Sequence, residues 1–193
     1  TQSTCRDAHY QRRVYVAQQV LSQLAMGELA AINSRDGFSP ELFGSLARLT
    51  PQVAVETVAL RQGSNNTIEV YMIQRPDDEP AYPGEKHSPG SILRNSDFEN
   101  IDPCSDGAYR RVIDRLAKRE FHVGITNFDL VGEIFFEEER GSFNNRIFLV
   151  ELDGEPTGGA WYDIDNLPEN TIDHHWEHII PIAVAAYRKR RTV

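Results

Sequence analysis

Residues 53–60 and 68–73 are two β-branched, mostly apolar runs, Val-Ala-Val-Glu-Thr-Val-Ala-Leu and Ile-Glu-Val-Tyr-Met-Ile. Between them stands the turn-forming Gly63-Ser64-Asn65-Asn66. Runs of this length bounded by turn residues read as an antiparallel hairpin, and a sheet with so much apolar surface needs helices to cover it. Two stretches supply them. Tyr109, Val112, Ile113, Leu116 and Ala117 recur at helical spacing over 106–122, as do Ile179, Ile180, Ile182, Ala183, Ala186 and Tyr187 over 173–190. Further strands are expected at 130–136, 146–152 and 160–163, and a polar, proline-rich loop over 75–87. The predicted fold class is α/β, an α/β/α sandwich around a mixed sheet.

The first fifty residues read differently. Tyr10, Val14, Ala17, Leu21, Leu24 and Ala25 mark an amphipathic helix over 7–31, and Ser39-Pro40-Glu41 starts a short one, with serine as N-cap and proline in the first turn. The expected organisation is a helical extension over 1–50 and one domain over 51–193. Its 193 residues suit one well-cored domain with an appendage.

Charge narrows the partners. The net charge of −9, from 29 acidic and 20 basic side chains, repels polyanions, so a small ligand is expected and nucleic acid is not. No apolar run approaches the roughly 20 residues of a membrane span. With no charged-then-apolar leader at the start, a cytoplasmic location is expected. Cys5 and Cys104 are too few for a disulfide framework and read as free thiols. The basic run Arg188-Lys189-Arg190-Arg191 closes a predicted helix, where cations complement the helix dipole.

Pro89-Gly90-Ser91, then Arg115-Leu116-Ala117-Lys118-Arg119-Glu120-Phe121-His122-Val123, then the strand-like 130–136 together resemble a degenerate box of the Nudix hydrolase superfamily. The ending Trp161-Tyr162-Asp163-Ile164-Asp165-Asn166-Leu167-Pro168 is similar to the turn before the last helix of many members. In the preferred register Gly90 matches the box glycine, Asp97 replaces the loop glutamate, and Arg115 takes the arginine. Leu116 and Arg119 then stand where two glutamates belong, leaving Glu120 as the one helix carboxylate, and His122 takes the place of a glycine. A second register puts Arg110 and Arg111 on the arginine–glutamate pair.

The resemblance implies hydrolysis of a diphosphate linkage in a nucleoside diphosphate-X compound, assisted by Mg2+ or Mn2+, since concentrated divalent charge offsets the diphosphate and orients water. Glu120 and Glu137 would hold metal, with Glu120 and Glu138 catalytic. Arg75, Arg94 and Gly90 would meet substrate, forked guanidinium groups being suited to phosphate. Each assignment has a plainer counterpart. Glu120 pairs with Arg115 or Arg119, 137–139 forms a solvated loop, and Arg75 and Arg94 bridge Asp77, Asp78 or Asp97. His174 and His178, one turn apart, have zinc-ligand spacing or begin a packed helix. The alternative function is a nucleotide-binding or regulatory module whose metal site has decayed. A third is an interaction protein that homodimerises through its N-terminal helices.

Overall fold

The computed structural model describes residues 29–192 except 31, 34 and 37, so nearly all of the helix expected over 7–31, and Cys5 with it, lies outside the described residues. The chain divides into two compact units, Thr1–Gly37 and Phe38–Val193. The second unit begins ahead of the boundary expected at residue 50, because helix α1 (Pro40–Leu49) packs onto the sheet. Ser39 caps α1 by accepting from the Leu42 N–H, and the Phe43 ring lies 6.2 Å from that of Phe143. Gly141 makes this contact possible. With φ +139° it has a backbone few other residues adopt, and a Cβ there would stand 2.1 Å from the Ala47 carbonyl.

Seven strands follow: β1 (Gln52–Gln62), β2 (Ile68–Gln74), β3 (Lys86–His87), β4 (Gly90–Ile92), β5 (Gly124–Glu138), β6 (Gly141–Asp153) and β7 (Gly159–Asp163). The sheet order is β3-β2-β1-β6-β5, with β7 also on β2. β1 and β6 run parallel in the middle, Gln52 opposite Phe143 through Ala59 opposite Val150. On its other edge β1 changes partner. Its first half pairs antiparallel with β4, Glu56 opposite Gly90, and its last residues pair with β2 in the expected hairpin, Leu60 opposite Val70.

Alternation along the strands sorts the core into two layers. Val55, Ala59, Tyr71 and Ile73 meet Val112, Ile113 and Leu116 of α2 (Gly107–Leu116). Val58, Val70, Met72 and Ile147 meet Ile180, Ala183 and Val184 of α3 (Ile180–Arg191). This is the expected α/β/α arrangement with a mixed sheet. Both predicted helices depart from regularity at one end. α2 widens into a π turn, Ala117–Phe121, that drives Phe121 fully into the core, and α3 is preceded by another, His175–Ile179. No helix among the described residues is long and apolar enough to cross a membrane.

Candidate functional site

A cleft of about 910 Å3 opens where β1 leaves β4 for β2, walled by β1, β4, β6, the end of α2, the 75–82 loop and the start of the last helix. Gly90, Arg75, Arg94, Glu120 and Glu138 all line it. Glu137 does not. The 137–138 segment is the end of strand β5 rather than a solvated loop, so alternation turns Glu138 inward and leaves Glu137 exposed.

The residues of the box-like stretch lie close together. Arg115 reaches back from α2 to grip the buried Asp97, Nη1 to Oδ1 at 2.8 Å and Nη2 to Oδ2 at 3.3 Å, while Asp97 Oδ2 also accepts from the Arg94 N–H at 2.8 Å. This forked pair ties the Asn95–Phe98 turn to the helix. Arg110 and Arg111, central to the second register, instead donate to the Ile125 and Ser96 carbonyls, at 3.4 and 3.1 Å.

Glu120 lines the cleft with Arg119 4.0 Å from its carboxylate. Its own carbonyl accepts from Tyr71 Oη at 3.4 Å, fixing the end of the π turn. Arg75 pairs with Glu79 at 2.7 Å rather than with Asp77 or Asp78, and donates to the Ala81 carbonyl at 2.8 Å. Glu138 is held on both sides, accepting from Tyr82 Oη and pairing with Arg140 at 2.5 Å. Burial and that carboxylate push the Tyr82 hydroxyl up to about 12.

Sequence reasoning passed over Glu56. This residue sits mid-strand, 8% exposed, with Oε2 buried and lacking a hydrogen-bond partner among the described residues. Burial pushes its carboxyl up to about 7, against the opposing pull of Arg75 and Arg140. Gly90 is the reason it fits, since a Cβ on Gly90 would lie 2.2 Å from Glu56 Oε2. The signal was present: one acid inside an otherwise apolar, two-sided strand.

Three histidines line the same cleft. His87 and His175 rings are 5.5 Å apart, His174 and His175 4.8 Å, and His175 Nδ1 shares a 2.9 Å hydrogen bond with the buried Ser88 Oγ. Burial, with Arg75 adding to it, lowers His87 to about 4; burial likewise lowers His174 to about 4 and takes His175 well below the usual range. They are neutral packing groups at pH 7. His178 is exposed beside Glu177 and outside the cleft, so the one-turn spacing of His174 and His178 brings no shared site there, in keeping with the helix-start reading.

A divalent ion needs several oxygen ligands converging on one point. The helix offers Glu120, but Leu116 is buried among apolar neighbours and Arg119 brings a positive charge. Glu138 is already committed to Tyr82 and Arg140, and no group of three His, Cys, Asp or Glu side chains placed to hold a metal occurs among the described residues. The side chains present do not fit the metal shell that the resemblance implies. What the cleft has instead is cationic: Arg48, Arg75, Arg94, Arg115, Arg119 and Arg140 against five glutamates, in a chain of net charge −9.

No protein-family model matches the sequence, and no curated protein matches it either. Solved structures do. A NUDIX hydrolase from Alicyclobacillus acidocaldarius superposes with TM-score 0.53 at 15% identity, over 70% of this chain and 92% of that one. The MutT NUDIX hydrolase from Burkholderia pseudomallei gives 0.50 at 16%, over 65% and 93%. The complex between the C-terminal domain of mouse MUTYH and human PCNA gives 0.52 at 14%, over 74% and 91%. With the mixed sheet between two helical layers and the ordered strand–loop–helix around Asp97 and Arg115, these likenesses lead to one conclusion: this chain has the Nudix hydrolase fold.

Proposed function

We propose that the cleft binds a small diphosphate-bearing ligand, a nucleotide or nucleoside diphosphate-X compound, as a binding or regulatory module that does not depend on a metal ion. The observation that carries this is the substitution along one helix face, with buried Leu116 and cationic Arg119 beside the lone carboxylate Glu120. An arginine where an ion ligand would stand opposes a divalent cation, an effect that solvent screens at this exposed side chain. The same charge favours a diphosphate, whose oxygens suit the forked donors of the arginines that line the cleft. The carboxylates around them select against a bare polyanion and in favour of a ligand that also carries neutral donors.

A second reading, metal-assisted hydrolysis of the diphosphate linkage, is favoured by Glu56, Glu120 and Glu138 lining a single cleft. One experiment separates the two. Nucleoside diphosphate sugars, dinucleoside polyphosphates and nucleoside triphosphates are assayed for phosphate release with Mg2+ and then Mn2+, and for binding in EDTA, using wild type and Glu120→Gln. The module reading expects binding in EDTA without turnover. Saturable, metal-dependent turnover that Glu120→Gln abolishes would reject it and establish the hydrolase.

A further inference from the structure

Three buried polar atoms on residues lining the cleft have no hydrogen-bond partner among the described residues: Arg115 Nε, whose guanidinium is otherwise held by Asp97, and two of opposite kind, the acceptor Glu56 Oε2 and the donor Asn145 Nδ2. Both side chains are more than nine-tenths buried, Glu56 at 8% and Asn145 at 2% exposure, and both line the cleft. The central parallel pair places them on one face. Asn145 of β6 stands opposite Ala54 of β1, and Glu56 follows Ala54 by two residues, so Ala54, Glu56 and Asn145 project to the same side. Both strands lie inside the sheet and are paired on two sides there, so neither group is set by a mobile loop.

Leaving a buried donor and a buried acceptor unmade is costly, and native structures rarely do so without use. Three devices keep the pair in place. Gly90 withholds the Cβ that would fill the carboxylate's space, the Arg75 and Arg140 charges oppose the penalty of burying it, and neutral His87 and His175 bring no competing positive charge. Among the six arginines of the cleft, Arg115 is committed to Asp97, Arg140 to Glu138 and Arg75 to Glu79.

We propose that Glu56 and Asn145 read a donor-beside-acceptor edge on the ligand, of the kind a nucleobase or carboxamide presents, while the arginines hold its phosphates. This inference rests on the nucleotide-binding reading above and names the residues that confer its selectivity. The ligand's N–H would donate to Glu56 Oε2 and its carbonyl or ring nitrogen accept from Asn145 Nδ2. A base-free anion satisfies neither.

The test is isothermal titration of the full chain in EDTA with ADP, GDP, UDP and CDP, and with the base-free probes inorganic pyrophosphate and ribose 5-phosphate. Wild type, Glu56→Gln and Asn145→Asp are compared, each checked for folding by its thermal melt. A hydrogen bond to a charged group is worth about tenfold or more in affinity. The expected result is that at least one nucleotide binds wild type about tenfold tighter than either base-free probe, and that each variant erases that ratio. If Asn145→Asp does not fold, the shape-conserving Glu56→Gln decides alone. Nucleotide binding whose preference over pyrophosphate survives Glu56→Gln would overturn the inference and leave the orphaned pair as the seat of a structural water. No binding of any nucleotide by wild type would instead overturn the nucleotide reading, and this inference with it.

Discussion

Replacing Glu56 by glutamine keeps the shape of a buried side chain and removes its charge. Its carboxyl is raised from 4.5 to about 7 by burial, so the folded protein holds that proton more tightly than the unfolded chain does. Below pH 4.5 both states are protonated and burial of the group carries no ionisation penalty. As pH rises from 4.5 to about 7, the unfolded chain ionises first and stability is lost; above about 7 the whole loss is in place. At about 1.36 kcal/mol per pH unit the interval amounts to about 3 kcal/mol. Glu56→Gln should therefore stabilise the protein by up to about 3 kcal/mol near pH 8 and by close to nothing near pH 4. For a domain of this size that is a melting-temperature gain of roughly 6–12 °C at the higher pH. Differential scanning calorimetry of both proteins across this range measures it directly. A gain that is the same at both ends, or a loss at the upper end, would refute the account of Glu56 as a group buried at a cost in stability.

Two further outcomes follow from the same cleft and its rim. Asp97→Ala leaves Arg115 largely buried without its carboxylate and should cost about 3–5 kcal/mol, while Asp97→Leu combined with Arg115→Met should recover most of it; urea unfolding of the single and double variants tests this, and a single-variant loss under about 1 kcal/mol would count against it. His87 and His174 are lowered to about 4 and His175 further, so the unfolded chain takes up protons that the folded protein refuses. Stability should fall as pH drops from about 6.5 toward 4, and His87→Gln should flatten that slope in acid titrations followed by tryptophan fluorescence.

The site is legible in the sequence where chemistry and periodicity coincide. Arg115 and Asp97, which the box register placed on the box arginine and the loop glutamate, are eighteen residues apart and form a forked pair. Gly90, Glu120, Glu138, Arg75 and Arg94, the positions that the resemblance implied, all line one cleft. Glu137 and Glu138 could not be told apart, because which neighbour faces inward depends on whether the segment is strand or loop, and β5 extends to Glu138 only because β6 pairs with it. Glu56 and Asn145 were not singled out. A strand's own sequence shows which residues share a face but not which cavity that face meets.

The amino-acid sequence by itself determined the elements: the hairpin 53–73, the capped helix at Ser39, the amphipathic α2 and the helix ending in the basic run. Local backbone preference and the spacing of apolar residues suffice for that. The tertiary structure decided the rest. It joined α1 to the domain through Gly141, widened two helices into π turns, and brought β1 between β4, β6 and β2 so that Glu56 lost its solvent. Burial, partner strands and the dielectric around a carboxylate are properties of the assembled sheet, and no stretch of the chain carries them alone.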